Sequence, residues 1–350
     1  MNWTPVILSL SLCVGCTSPA LVRHEEFHDA MGTRFHLVLY ATSADEARLA
    51  ALASWARLGE LEAIMSDYDR ESEVSQLSRS GGEWVACSPD LWRVLKRSKE
   101  LNEATAGAFD ITVGPLVQVW RRAMRQQEFP SEQDIARAKQ AVGTQRIEFD
   151  PGEKRVRLPE GFARLDLGGI AKGDALDQIM NLLHARNMDR ALVEGGGDVL
   201  VGAAPPDAPG WVIDLQGASG SLGRITLKQA ALATSGSTFH YLEHEGVRYS
   251  HIVDPASGIG VVDPFQVSVL ATDAATADAV ATALSVMGVE SGESWIESTD
   301  GLEACWTRAE NQGLQSCTSE HFPLRLKTQE ARPTARFSSV PTANSPPAKP

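Results

Sequence analysis

The sequence predicts an α+β fold, mixed sheets with packed helices, and three observations carry that expectation. Stretches whose apolar residues recur at helical spacing are interleaved with short apolar runs broken by glycine turns. The chain has 350 residues, 43% hydrophobic and 22% charged, long enough to bury one large core or two ordinary ones. No internal repeat is evident. The net charge of −13 argues against bulk phosphate-backbone binding and so against a nucleic-acid partner. A small anionic ligand would need local positive groups or a metal.

Residues 1–20 carry no charged side chain, and residues 6–14 form an apolar run too short for a membrane span but suited to an export signal. Val14-Gly15-Cys16 resembles the end of a bacterial lipoprotein signal, in which the cysteine becomes the lipidated first residue of the mature protein. Cys13 stands where an aliphatic residue is usual, and no Lys or Arg precedes the run. The expectation is a signal segment over residues 1–16 with Cys16 as anchor, placing an exported lipoprotein on the periplasmic face of a membrane. A cleaved soluble signal or a retained segment is the alternative. The main domain is then 17–327, and the Pro-, Ser- and Thr-rich stretch 328–350 is expected to be a disordered tail.

Cys305 and Cys317 bracket a polar, glycine-containing segment and could pair across a hairpin outside the cytoplasm. Cys87 reads as a small buried hydrophobe. No CxxC or Cys/His metal spacing occurs.

Taken in order, Met31-Gly32-Thr33 reads as a tight turn into a strand ending near Tyr40. Residues 45–65 read as a helix with Thr42 or Ser43 as N-cap and Leu49, Leu52, Ala53, Ala56, Leu61 and Ile64 close to one face. It ends in a polar turn carrying Tyr68, which suits either a planar ligand or the rim of the core. Residues 87–104 form a second helix. Small residues then surround Phe109 and Asp110, so a flat ligand could lie against backbone there. A helix over 131–141 follows Pro130, and the strands RIEFD and RVRLP are joined by Pro151-Gly152.

Residues 165–177, LDLGGIAKGDALD, combine an acid, paired glycines, Lys172 and a helix start. Gly168 and Gly169 lack Cβ atoms, so an anion or ion can approach their amides and carbonyls. A tight strand-to-helix turn in a packed core fits those residues equally well. Next come a strand, the triple-glycine turn of Glu194-Gly195-Gly196-Gly197-Asp198 and another strand, then strands over 211–215 and 224–227. His251 and Asp254 lie on opposite sides of a short apolar pair. In the late segment 267–288, Asp278 and Thr282 are four apart on a helix, two hard oxygens facing the same way, a pair that suits Mg²⁺. A back-bonded threonine and a dipole-facing aspartate are the plainer reading of the same residues.

Together these segments resemble one family, the FAD:protein FMN transferases known as ApbE. The resemblance rests on Met31-Gly32-Thr33, MSDYDRESEVSQL (65–77), GAFDITVGPLVQVW (107–120), DLGGIAKG (166–173), EGGGD (194–198), ATSG (233–236), YSHIVDPASG (249–258) and ADAVATALSVMG (277–288), in the family's order. It implies an ApbE-like architecture and an enzyme that cleaves the FAD pyrophosphate with Mg²⁺. FMN is attached through its phosphate to a Thr or Ser of a target protein, and AMP leaves. By similarity Met31, Tyr68, Ala108, Phe109, Asp110, Asp166, Lys172 and Ile252 hold FAD. Asp278, Thr282 and the Gly169 carbonyl hold Mg²⁺, and His251 is the candidate base with Asp254 as its orienting partner. The implied partner is a flavin-acceptor protein, a membrane redox subunit.

Two departures bear on the reaction. The family's usual Asp-Pro-Arg-Thr-Gly-x-Pro appears as Asp254-Pro255-Ala256-Ser257-Gly258-Ile259-Gly260, and a common asparagine is Ser78. A Mg²⁺-dependent FAD pyrophosphatase giving FMN and AMP, or a non-catalytic flavin-binding lipoprotein, are the alternatives.

Overall fold

The computed structural model describes residues 20–161, 164–218, 220–236, 241–262, 265–310 and 313–324. The expected signal with Cys13 and Cys16, and the expected tail, lie outside the described residues. The fold is the expected mixture of helix and sheet.

The chain opens with a hairpin of β1 (Val22–Ala30) and β2 (Thr33–Ala41). Its two turn residues, Met31 at φ 49° and Gly32 at φ 71°, are both left-handed, as a tight hairpin with native strand twist requires. Phe35, Leu37 and Leu39 of β2 are buried in one core, and Val38 in another, so the strand serves both faces of its sheet.

Helix α1 (Ala44–Met65) is capped by Ser43, whose Oγ accepts from Glu46 N at 3.2 Å. Its inward stripe differs from the expected one: Leu49 and Leu52 are 58% and 50% exposed, while Ala47, Ala50, Ala51, Trp55, Leu58, Leu61 and Met65 are buried. Alanines let the first half of the helix lie close against β1, and there the two leucines that dominate a hydropathy count, Leu49 and Leu52, fall on the outer face.

Helix α2 (Glu73–Ser78) and strand β3 (Trp84–Ala86) are too short to show a period in the sequence. The expected helix over 87–104 is α3 (Pro89–Ala104), capped by Ser88. A helix not foreseen, α4 (Gly114–Gln126), follows the Phe109–Asp110 loop after one 3-10 turn (Ile111–Val113) and precedes α5 (Glu132–Lys139). Strands β4 (Glu148–Asp150) and β5 (Arg155–Arg157) join β3 in a small antiparallel sheet. The central glycine stretch then leads into α6 (Ala171–His184).

The strands β6 (Ala191–Gly195) and β7 (Asp198–Val201) turn through Gly196 and Gly197 at φ 64° and 94°. They are followed by β8 (Trp211–Gly217), β9 (Gly220–Leu227), β10 (Ala230–Gly236), β11 (Tyr241–His244), β12 (Val247–Ser250) and β13 (Phe265–Ala271). Helix α7 (Ala274–Glu297) runs beyond the expected segment, across a non-helical Gly288, and β14 (Glu303–Glu310) and β15 (Gly313–Thr318) complete the order.

The main sheet is antiparallel in the order β1-β2-β6-β7-β10-β13-β14-β15. One face is covered by α1, α6 and α7 around the largest core, and the other by the β8–β9 ribbon through Trp211, Leu215 and Ile225. A third cluster joins α4 and α5 to the β11–β12 hairpin through Leu116, Trp120, Ile135 and Leu242.

Cys305 and Cys317 are free thiols, so the pairing that the sequence left open across the hairpin is not made. In the β14–β15 register Cys305 faces Thr318, and Cys317 faces Trp306. This one-residue offset sends the two thiols to opposite faces of the sheet. Among the described residues no helix is long and apolar enough to cross a membrane.

Candidate functional site

The α6–α7 junction sets the geometry. A Cβ added to Gly173 would lie 2.2 Å from the Ala274 carbonyl oxygen, so the two backbones meet at a distance only glycine allows. The N–H groups of Ala274 and Ala275 donate to Asp177 at 2.8 and 2.9 Å, and that of Thr276 donates to Asp273 at 2.9 Å. The first turn of α7 is thereby satisfied and tied to α6.

Burial, reinforced by Asp273 and Asp174, pushes the Asp177 carboxyl up to about 7 against the two N–H donors. An acid whose folded pKa lies above its unfolded value holds its proton more tightly when folded, so stability is lost as pH rises through the folded value. Between pH 5 and 8 the protein should therefore lose stability relative to Asp177→Asn. Urea unfolding at both pH values tests this, and parallel changes in the two proteins would exclude a role for Asp177.

One turn further along α7, Asp278 is buried and accepts from Gly173 N at 3.2 Å. Thr282 follows, and its Oγ1 would be 2.9 Å from a Cβ placed on Gly169. The structure thus brings Gly169, Asp278 and Thr282 together, with Phe109 packed beside Gly169 at 3.4 Å by the same construction. Lys172 Nζ lies 3.3 Å from Asp278 Oδ2 and 3.1 Å from Asp198 Oδ2. Burial works to lower the Lys172 pKa, but Asp278 and Asp198 outweigh it and hold the ammonium charged. Asp198, in turn, is pushed up to about 7 by burial and by Asp278, against the pull of Lys172. A Cβ on Gly196 would meet Lys172 Cδ at 3.2 Å and Thr33 Cγ2 at 3.3 Å, which brings the Met31 turn beside the lysine. Met31 N donates to Glu62 Oε1 at 2.7 Å, fixing that turn to α1.

A second group lies next to the first along the chain. Asp166 accepts from Gly168 N at 2.8 Å and pairs with Arg121 at 3.4 Å, while Arg121 also reaches Asp67 at 3.0 Å and lies 4.7 Å from the centre of the Tyr68 ring. Burial, with Asp67 nearby, raises the Asp166 pKa against Arg121 and Arg164. Tyr68 itself is 76% exposed, a ring on a rim held by a cation. The segment behind this group is anchored by Ser78, whose Oγ accepts from Leu165 N at 3.0 Å and donates to the Val74 carbonyl at 2.8 Å.

Asp110 is turned inward. Its oxygens accept from Thr112 N at 2.7 Å, Thr144 Oγ1 at 2.7 Å, Thr144 N at 3.1 Å and Asn102 Nδ2 at 3.2 Å. It shapes the loop that presents Ala108 and Phe109. Asp254 likewise organises its own turn, accepting from Ala256 N at 2.9 Å and Ser257 N at 3.2 Å. His251 is exposed on the connection after β12, and Ile252 N donates to Ser250 Oγ at 3.0 Å. Trp120 Nε1 donates to the Gly258 carbonyl at 2.9 Å, so α4 holds this loop while its Arg121 holds Asp166. A Cβ on Gly260 would lie 2.4 Å from the Ser250 carbonyl oxygen, which accounts for a glycine where the family motif has proline.

Asp198 and Arg121, which the sequence does not single out, adjoin the candidate site through Lys172 and Asp166. The signal for Asp198 was its place after three glycines; nothing local marked Arg121. Among the described residues no group of three or more His, Cys, Asp or Glu could hold a metal, and the oxygen set at Gly169 and Thr282 draws on other donors.

The ApbE family model matches residues 31–306. A Vibrio cholerae protein named FAD:protein FMN transferase is 31% identical over 312 residues, 85% of this chain and 91% of its own. A Haemophilus influenzae protein of that name is 28% identical over 285 residues, 78% of this chain and 82% of its own. The crystal structure of apo flavinyl transferase ApbE from Pseudomonas stutzeri superposes with a TM-score of 0.78 at 26% identity, covering 86% of this chain and 95% of that one. The ApbE protein of Thermotoga maritima gives 0.76 at 30% identity, covering 85% and 97%.

Proposed function

This chain belongs to the ApbE family and is a flavin transferase, and from that premise we propose that it moves the FMN half of FAD to a Thr or Ser hydroxyl of an acceptor protein, releasing AMP, with Mg²⁺ held by Asp278, Thr282 and the Gly169 carbonyl. One observation carries the reading. Thr282 Oγ1 lies where a Cβ on Gly169 would crowd it at 2.9 Å, one helical turn from buried Asp278, with Lys172 alongside. These are hard oxygens on neighbouring segments, with the Lys172 ammonium 3.3 Å from the carboxylate. They suit Mg²⁺, which takes few protein ligands when phosphates complete its shell.

When bound, the ion would neutralise charge on the pyrophosphate oxygens during transfer. Lys172 supplies a second, fixed positive charge in an otherwise acidic chain. Met31, Tyr68, Ala108, Phe109, Asp166 and Ile252 hold the dinucleotide, with Asp110 shaping the loop beneath it. The acceptor oxygen attacks the phosphorus on the FMN side. Its proton passes to His251, the P–O bond on the AMP side breaks, and AMP leaves with that oxygen. Imidazole is suited to this proton transfer near neutral pH.

Incubation with FAD, Mg²⁺ and an acceptor domain should give protein-bound FMN and AMP in equal amounts. Free FMN with AMP and no adduct would replace transfer by hydrolysis, the reaction that the departures at Ala256 and Gly260 make worth measuring. No AMP at all would leave a flavin binder. His251→Ala should slow adduct formation by about a hundredfold, the usual size of a lost general base. An unchanged adduct rate would remove His251 from that role.

In the same reading Cys16 carries a lipid anchor, and the enzyme acts at the periplasmic face of a membrane on a membrane redox subunit. Mass spectrometry of the mature N-terminus tests this; an unmodified peptide containing Cys16 would overturn it.

A further inference from the structure

Lys172 is the single ammonium between two buried carboxylates, 3.1 Å from Asp198 and 3.3 Å from Asp278. Only one of those acids is wanted by a cation. Once a divalent ion is on Asp278, its charge and that of the ammonium repel each other in a poorly solvated place. Lys172 would then either stay on Asp278 and exclude the ion, or swing away and abandon the phosphates.

Asp198 stands beside the lysine and is itself held in place. It is 2% exposed, and its Oδ1 is fixed by the Thr234 N–H at 3.2 Å, with Thr234 Oγ1 in turn 2.9 Å from Ser268 Oγ. Its Oδ2 has no hydrogen-bond partner of good geometry among the described residues, and the Lys172 ammonium is the charge beside it. The Gly196–Gly197 turn sets Asp198 at the start of β7, and Gly196 leaves space for the lysine stem, which a Cβ would meet at 3.2 Å. The segments around Lys172, Asp198 and Thr234, far apart in the chain, thus serve one contact.

We propose that Asp198 is the positioning residue of Lys172: it keeps the ammonium in the site when Asp278 engages a cation, and by doing so it limits competition between lysine and cation for Asp278. This rests on the cation reading given above. A simpler role, neutralising a buried lysine for stability alone, predicts no coupling to cation affinity.

The test is a double-mutant cycle on the full chain without flavin, with Mn²⁺ as the probe ion and free Mn²⁺ followed by electron paramagnetic resonance. Lys172→Met removes the competitor and should tighten Mn²⁺ binding about tenfold, whereas Asp198→Asn leaves lysine leaning on Asp278 and should weaken it about tenfold. In the Lys172→Met background, Asp198→Asn should change affinity by less than about threefold, because the residue through which it acts is gone. Equal weakening in both backgrounds would overturn the proposal, since Asp198 would then act without Lys172. If Asp198→Asn does not fold, the Lys172→Met result decides, and affinity left unchanged by it overturns the proposal. Absence of Mn²⁺ binding by the unaltered chain would overturn the cation reading and this inference together. Binding without coupling overturns this inference alone.

Discussion

Asp278→Ala is expected to cut AMP release from FAD at least about a thousandfold, the combined effect of a lost ion ligand and lost charge placement at a transferring phosphate. Asp278 supplies the one carboxylate of the proposed oxygen set, and it also accepts the Gly173 N–H at 3.2 Å. The variant therefore leaves a buried donor unpaired as well, a cost of about 1–3 kcal/mol in stability. A melting curve measured beside the AMP assay separates the two effects. AMP release within tenfold of the unaltered enzyme, from a folded variant, would take Asp278 out of the site.

Gly173→Val is expected to be the most damaging substitution for stability. Its Cβ would be placed 2.2 Å from the Ala274 carbonyl oxygen and 2.8 Å from Ala275 Cα, both backbone atoms of a helix held by Asp177 and Asp273. Overpacking of a core typically costs 1–3 kcal/mol, and here the neighbour is main chain, so a loss of about 3 kcal/mol or more is anticipated. Denaturant unfolding measures it. The same substitution moves α7 away from α6 and should weaken Mn²⁺ binding in any molecules that still fold. A variant as stable as the parent would mean that the junction is looser than its geometry indicates.

Much of the candidate site was legible in the sequence because its elements are local. Asp278 and Thr282 share a face by helix spacing, the Met31-Gly32 and Gly196-Gly197 turns announce themselves by residue type, and the glycines at 168–169 mark a close approach. What the sequence hid depends on contacts between distant segments. Asp110 looked available for a ligand, and it is Thr144, on a separate stretch, that occupies its carboxylate. Asp198 and Lys172 meet only because β7 and α6 pack together. The stripe of α1 was misplaced in its first half, where Ala47, Ala50 and Ala51 are buried and Leu49 and Leu52 are not, and the two cysteines of the last hairpin were set apart by a single step of register.

The order of the main sheet constrains the way the chain is made. Strand β2 finds its second neighbour only in β6, where Phe35 faces Gly195 and Leu39 faces Ala191, and β7 must wait for β10. A chain of which only the first half has emerged presents a hairpin whose inner edge is bare, an invitation to pair with another unfinished chain. Long-range ladders of this kind close slowly. The helix bearing Asp278 emerges later still, so a truncated product would have neither a finished sheet nor the late oxygens of the candidate site, and shape and site are completed by the same last third of the chain.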